Sequence, residues 1–446
     1  MTNNIYLAQP WTPEEDGEHF PSIIEWWCLE GFFKTIENNK RWSLKTTFTE
    51  WFQTKPQKKI GSMCNFSLFD RELNKHFLEY TRNETEKLKS KKDRFDVRFK
   101  DNYLKGLYPD YEINIKNQVK NIELNIKYHA VSLPYWVTQQ TTGGHIPMGL
   151  GSYRYGFIPD GKITGTMKIK EDKFKVEGRG YYEHVWGNFS YTNPFSNLSE
   201  IKKTISMYAK LIGRQIHGNK FLIPRSITFG TENNPLGYDW TWALFDNGWN
   251  LFYGNALFWI MKGPAFGTLI LSKDGKNYQE FSKINFHYNK IKYAKSYDFY
   301  YPTDIELDAE ENNEKLHLRF IMENDAGEYN NRFYDGKMYL GFVICESPGL
   351  VKGYYFNGKE KVNLSGICKI EPQRQISKFG HNMLKVDFLL PPKKSEISID
   401  IDSHFFCKNI STKLKFTPLP KIRFKIKRID KSKIHRKRNA TIKNNL

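Results

Sequence analysis

The sequence predicts a mainly β protein built as two antiparallel, barrel-like domains. Three observations carry that expectation. Apolar residues alternate with polar ones over much of the 446-residue chain, the period-two signature of strands with one buried face. The aromatic share is 16%, which favours strands and ring-lined interiors. A stretch rich in Pro, Gly and Asn near residues 219–236 interrupts the alternation and separates two strand-rich regions of similar size.

In chain order, Leu29 to Phe33 and Trp42 to Phe48 flank the turn-like Glu37-Asn-Asn-Lys40. The charge-dense segment from Asn83 to Asp101 reads as a solvated loop or short helix. Ile163, Met167 and Ile169 alternate, Glu171-Asp-Lys173 turns the chain, and Phe174 and Val176 resume the alternation. Leu198, Ile201, Ile205, Tyr208 and Ile212 follow helical spacing, so residues 198–215 form a helix inserted between two strand regions, placed to cover a cavity mouth or barrel rim. Strands resume at Tyr238 and end with the alternating Ile422, Phe424 and Ile426. The expected division is 1–225, 233–430, and a disordered basic tail over 431–446.

The formal net charge is +19. From Lys421 to Leu446 there are eleven Lys or Arg and one acid, +10 in all. Such a tail suits solubility or attraction to an anionic membrane surface; basicity alone does not make a nucleic-acid binder, and that class is disfavoured. Five cysteines without a CxxC pair argue against a disulfide framework or zinc site. The sequence shows no signal pattern and no apolar run of the ~20 residues that span a bilayer. A cytoplasmic protein, peripheral at most, with no cofactor and no metal, is the expectation; oligomeric state is left open.

The chemistry-bearing stretch is Gly178-Arg-Gly-Tyr-Tyr-Glu-His-Val-Trp-Gly-Asn188. Side chains alternate across a sheet, and even positions carry Phe174, Val176, Gly178, Gly180, Tyr182, His184 and Trp186. That face is the apolar one, so His184 and Trp186 point inward beside two glycines that leave room, and Glu183 points the other way or into a neighbouring domain. In YDWTWALFDNGWNLFYGNA, Asn247-Gly248 suggests a two-residue turn. It would pair Leu244 with Leu251, Trp242 with Tyr253 and Trp240 with Asn255 on one face. Glu25-Trp26-Trp27 forms a third cluster, in which at most one tryptophan faces any given cavity. Each cluster is read either as sheet packing or as a ligand wall with a few polar groups. No phosphate loop, HExxH or GxSxG is present.

In this order, the clusters resemble the hydroxyneurosporene synthase (carotenoid 1,2-hydratase) and AttH-type lipocalin-like family. Glu25-Trp26-Trp27-Cys28-Leu29-Glu30-Gly31 matches the family's opening strand, with Cys28 where Tyr is usual. Ser152-Tyr153-Arg154-Tyr155, Gly178 to Gly187 (Glu183 for Asp), Trp240 to Gly248 and Gly366 to Glu371 follow. The resemblance implies two lipocalin-like barrels, an apolar cavity for a long hydrophobic ligand, and alkene hydration, cyclisation or isomerisation. It implies roles for His184 and Trp186, and for a Tyr-x-Asp pair matched by Tyr253-Gly-Asn255, where Asn255 is not an acid. Candidate catalytic residues are therefore His184, Trp186, Glu183, Tyr253 and Asn255; Trp240, Trp242, Tyr182, Trp27 and Glu25 would contact substrate. Protonating an alkene needs a strong donor, Glu183 or His184, and aromatic faces to stabilise the cation. A non-catalytic carrier of a hydrophobic ligand is the alternative.

Overall fold

The computed structural model describes residues 5–54, 57–83, 88–117, 120–189, 198–216, 226–229, 237–257, 264–294, 299–323, 327–334, 339–378, 383–389, 396–402, 411–414 and 421–425. The expected basic tail, 431–446, and most of the predicted junction lie outside these residues. Two large antiparallel sheets dominate, as the alternation predicts, and the fold is mainly β with few helices.

The N-terminal sheet runs, edge to edge, through Lys75–Asn83, Gln57–Asp70, Arg41–Thr54, Ile24–Thr35, Asp172–Gly187, Gly151–Ile169, Ile122–Ala130, Asp110–Asn117, Asn102–Leu107, Phe95–Phe99 and Leu88–Lys89. Its two edges are consecutive in the chain, so the sheet curls almost onto itself. Trp27, Leu29, Phe48, Leu68, Tyr111 and Ile126 belong to the core that fills it. Within the segment 83–101, the described residues 88–101 are not the expected solvated loop. Phe95, Val97 and Phe99 are buried at alternate positions of a strand; the surrounding charges are its outward face and masked the pattern.

The C-terminal sheet is assembled from strands between Gly237 and Lys378 in the same curled manner, its strands Asn277–Phe281 and Lys283–Ala294 being consecutive in the chain. A third, five-stranded sheet contains Ser226–Phe229, within the predicted junction, and Lys421–Lys425, the predicted last strand. One pair there, Glu396–Ile399 against Lys421–Phe424, is parallel. Between the two large sheets lies a further core holding Tyr181, Val185, Trp240, Trp242, Phe252 and Tyr278.

The inserted helix spans Ile201–Ile216 after a short 3-10 turn, Leu198–Glu200. Its buried stripe is Thr204, Met207 and Leu211, whereas Ile205 is exposed, so the stripe is rotated from the predicted one. Thr204 Oγ1 donates to Leu150 O at 3.2 Å and Tyr208 OH to Gly149 O at 3.0 Å. Arg214 reaches Glu280 of the C-terminal sheet at 2.8 Å, so the helix spans both sheets.

The N-terminal residues also bind both. Ile5–Leu7 adds a strand to the C-terminal sheet beside Asn277–Gln279. Pro13–Asp16 then forms one helical turn, with a capping box between Thr12 and Glu15. That turn delivers Asp16 into the N-terminal barrel, where it accepts from Tyr111 OH at 2.8 Å and Tyr182 OH at 3.0 Å. The four described cysteines are buried, and none forms a disulfide among the described residues. Among the described residues, no helix is long and apolar enough to cross a membrane.

Burial pushes Asp16 up to about 7 from an ordinary 3.8, against the pull of the two phenols. The unfolded chain therefore releases this proton first as pH rises. The stabilisation is complete below pH 4 and is lost as pH rises through about 7, a swing of ~4 kcal/mol at about 1.4 kcal/mol per pKa unit. Asp16→Asn should remove that swing. Urea unfolding at pH 5 and pH 8 checks it: the variant should gain on the native protein at the higher pH, and parallel curves would disprove the linkage.

Candidate functional site

The strand Asp172–Gly187 passes between two cores, and both of its faces are buried from Gly180 to Val185. Parity assigns each side chain to one of them. The even face looks into the N-terminal barrel, but the space there is already filled. His184 is fully buried. Its Nε2 lies 2.8 Å from Glu25 Oε1 and its Nδ1 lies 2.8 Å from the Glu15 carbonyl oxygen. Glu25 also accepts the His19 backbone N–H, at 2.9 Å to Oε2, and contacts His19 Nδ1 at 3.0 Å. Trp27 stacks on His184 with centroids 4.9 Å apart, and Trp186 stacks on His19 at 3.6 Å. Tyr182 binds Asp16, and Trp27 Nε1 donates to Asp16 O at 3.0 Å. These residues clamp the N-terminal segment into the barrel.

Both nitrogens of His184 face acceptors, so only the protonated ring gives each a hydrogen to donate. Burial opposes this and outweighs the Glu25 carboxylate, which raises the His184 pKa, so the net shift of His184 is downward and what favours a charged ring is its two acceptors and Glu25. Burial likewise opposes ionisation of Glu25, yet the hydrogen bonds from His184 and His19 bring its net shift below the usual range. The geometry and the lowered Glu25 together favour a buried imidazolium–carboxylate pair.

The odd face looks out of the barrel, into a cavity of about 160 Å³ between the two sheets. Glu183 lines it. Its Oε1 accepts from Trp26 Nε1 at 2.9 Å, and its Oε2 from Tyr181 OH at 2.8 Å and from Tyr155 OH. Burial raises the Glu183 pKa, the three donors lower it, and the Glu371 charge adds to the rise. The net direction is upward, toward a protonated acid. Apolar wall comes from Trp26, Tyr155, Trp240, Phe252, Ile146 and Met148; the last two lie on the strand His145–Met148, against which the inserted helix packs.

The C-terminal wall departs from the predicted hairpin by one residue. Trp249 O accepts from Phe245 N at 2.9 Å, and Gly248, at φ +89°, takes the left-handed position of a longer loop. Trp240 therefore pairs with Gly254, Trp242 with Phe252 and Thr241 with Tyr253. A one-residue slip moves a strand's side chains to the opposite face, so Tyr253 joins the C-terminal core while Trp240 and Trp242 join the core between the sheets. Trp242 is consumed there, donating to Pro159 O at 2.7 Å. Asn255 does reach the cavity. It bonds Tyr253 OH at 2.7 Å and pairs in register with Asp239. The acid absent at position 255 thus sits one strand over, but Arg374 holds it at 2.8 Å and Tyr288 also donates to it.

A buried ionic cluster closes one side. Lys45 contacts Glu346 at 2.7 Å, Glu30 at 3.4 Å and Glu371, while Lys369 contacts Glu346 and, at 3.7 Å, Glu30. Tyr238 OH donates to Glu371 at 2.7 Å. Among the described residues, two groups have donor sets a metal could use: His19, Glu25 and His184, and Glu30, Glu346 and Glu371, each with donor atoms within 4.8 Å. In the first, the donors are hydrogen-bonded to one another; in the second, two ammonium groups already supply positive charge.

Of the predicted site residues, Glu183, Trp240 and Asn255 line one cavity. His184, Trp186, Tyr182, Trp27 and Glu25 belong to the N-terminal clamp, and Trp242 and Tyr253 to packed cores. The predicted room beside the glycines is taken: a Cβ at Gly180 would stand 2.7 Å from Ile163 Cδ1 and 2.8 Å from Glu30 O. Sequence reasoning missed Trp26, Tyr155 and Tyr181 as partners of Glu183. The parity that sends Glu183 away from His184 also groups it with Tyr181, and that signal was available.

No family model matches the chain, and no curated protein does. Solved structures do. An AttH-type protein from Nitrosomonas europaea superposes with TM-score 0.56 at 15% identity, covering 83% of this chain and 99% of that one. CghA superposes with TM-score 0.50 at 7% identity, covering 85% and 97%. Kievitone hydratase from Nectria haematococca gives TM-score 0.48 at 13% identity, covering 81% and 97%. At these identities the likeness is one of fold, and that fold is the lipocalin-like one of AttH-type proteins.

Removing the clamp histidine leaves Glu25 buried without its main partner, a loss of about 3–5 kcal/mol for a broken buried pair. His184→Ala should therefore lower stability by that order in urea unfolding while ligand binding in the cavity persists at temperatures where the variant stays folded. Lost binding with unchanged stability would refute the clamp assignment.

Proposed function

We propose that the protein is a lipocalin-like enzyme that binds an apolar metabolite between its two sheets and protonates a carbon–carbon double bond with Glu183. The observation that carries this reading is a buried carboxyl, shifted toward its protonated form, opening onto an aromatic and apolar cavity. In such surroundings a carboxylic acid stays neutral and can donate. The Glu183 O–H adds its proton to one alkene carbon, leaving the carboxylate and a cation on the neighbouring carbon. Water captures that cation in a hydration and returns a proton to the carboxylate. A second double bond captures it in a cyclisation, and loss of a different proton completes an isomerisation. The faces of Trp26, Trp240 and Phe252 are placed to stabilise positive charge without reacting. Asp239 is less suited to donate because it is paired with Arg374.

The volume bounds the reacting part. About 160 Å³ is close to the ~150 Å³ cavity that holds a benzene ring. That space suits one ring or a branched alkene terminus at the reacting end. The resemblance to alkene hydratases in the sequence supports the same chemistry. Carriage without catalysis is the second reading, favoured by the three hydrogen bonds that already occupy both Glu183 oxygens.

Mass spectrometry of apolar molecules that copurify with the native protein identifies the occupant. Incubating that compound in D2O then separates the readings. The enzyme should place deuterium on carbon, at a rate that falls as pH rises through the raised Glu183 pKa. Glu183→Gln should slow this by 10²–10⁴, the range for a lost general acid, with affinity retained. Equal behaviour of native and variant protein, with no label on carbon, would leave carriage standing and sink the catalytic reading.

A further inference from the structure

The C-terminal wall carries a row of residues whose polar groups the proton-transfer reading does not use. Glu371 pairs with Trp240, Trp240 with Gly254, and Gly254 with Thr268, on four neighbouring strands. Residues directly opposite one another in an antiparallel sheet project from the same face, and all four line the cavity. Trp240 is 5% exposed and Thr268 7%. Neither Trp240 Nε1 nor Thr268 Oγ1 has a hydrogen-bond partner among the described residues. Buried polar groups in folded proteins are almost always paired, so two unpaired ones on the wall of one cavity point to a ligand that pairs them.

Gly254 gives the row its shape. It stands between Trp240 and Thr268, one strand, or about 4.8 Å, from each. A Cβ there would meet only the Phe252 ring, at 3.4 and 3.5 Å, which is ordinary contact. The glycine is therefore not forced by a close backbone neighbour, as Gly180 is. It opens a notch whose two walls carry the unpaired groups. Trp240 is held edge-on to Tyr181, with centroids 5.3 Å apart and planes at 70°, so its N–H is fixed before any ligand arrives.

We propose that this notch is a recognition subsite for an oxygen-bearing ring compound, a phenol or cyclic alcohol, that lies over Gly254 and accepts the Trp240 N–H. The Thr268 hydroxyl serves a second polar edge of the same molecule. The proposal rests on the cavity being the functional site, and it narrows the substrate class from apolar molecules in general to oxygenated ones. An unfunctionalised hydrocarbon leaves both groups buried and unpaired, and a site built to bond a hydroxyl rejects the analogue that lacks it.

Calorimetric titration of the full chain with p-cresol and with toluene tests this, because the two differ by one hydroxyl and both fit the volume. The cresol should bind at least tenfold more tightly, the effect of about one buried hydrogen bond. Trp240→Phe should bring the ratio within threefold. Thr268→Val, which keeps the shape, should lower the ratio should the indole variant fail to fold. Gly254→Ala should weaken both ligands at least fivefold by filling the notch. Equal affinities for the two ligands in the native protein overturn the subsite and leave the apolar cavity reading intact. Failure of both to bind overturns both readings, and a Gly254→Ala protein that binds as the native one does places the ligand elsewhere and overturns the subsite.

Discussion

A strand that is buried on both faces can send no side chain to water, and the strand Asp172–Gly187 is such a strand from Gly180 to Val185. Every polar group on it must find a protein partner or border a cavity, since an unpaired buried polar group costs about 1–3 kcal/mol. Most of the molecule answers that demand. On one side the N-terminal segment is drawn in, so that Asp16 meets Tyr182 and the Glu15 carbonyl meets His184. On the other side Trp26, Tyr155 and Tyr181 gather round Glu183. The adjacent Glu183 and His184 face opposite ways and do different work.

The same demand governs the contact between the sheets. Lys45 and Glu30 come from one sheet, and Glu346, Lys369 and Glu371 from the other. Desolvation alone makes such a cluster a poor source of stability. Its charges are nearly balanced: two ammoniums face three carboxyls, and burial together with the Glu346 charge raises Glu30 to about 8, while Lys369 and Lys45 take Glu346 down to about 2 against burial. One carboxyl is thus held near neutral and the cluster carries almost no net charge. Its effect is to fix how the two sheets meet, because a slip between them would strand an ion in apolar surroundings. The cavity beside it, lined by Lys45, Glu30 and Glu371, inherits a fixed shape.

The β class, the inserted helix and the three clusters were legible in the sequence because each depends on a local period. Alternation identified the strands around Ile163 and Val176, and a 3,4 spacing found the helix within a residue of its observed end. Parity even separated Glu183 from His184. Failures came where a single residue decides the outcome. The loop after Phe245 is longer than Asn247-Gly248 alone suggests, because Trp249 pairs back onto Phe245, and that one residue reversed Tyr253 and Asn255 against Trp240. The clamp was invisible for another reason. Its partners, Glu15, Asp16 and His19, come from a segment with no period of its own, and only the closed barrel shows that the even face has something to hold. The ionic cluster likewise joins residues more than 300 positions apart, such as Lys45 and Glu371.

The separation of clamp and cavity bears on how the motif should be read. A histidine, an acid and a tryptophan at one strand end suggest a single catalytic group, and their spacing invites that reading. Alternation forbids it: Glu183 and His184 cannot share a cavity unless a bulge intervenes between them, and the strand pairs in continuous register with Ile24–Thr35 from Val176 to Gly187. His184 and Trp186 can influence the cavity only by holding Glu25 and the strand that carries Trp26, the residue next to Glu25 on the opposite face. Trp26 is the bridge, since its indole N–H reaches Glu183 at 2.9 Å. Position along the chain places the two groups together; the pleat of the sheet keeps them apart, so that the histidine helps set the frame in which the carboxyl sits.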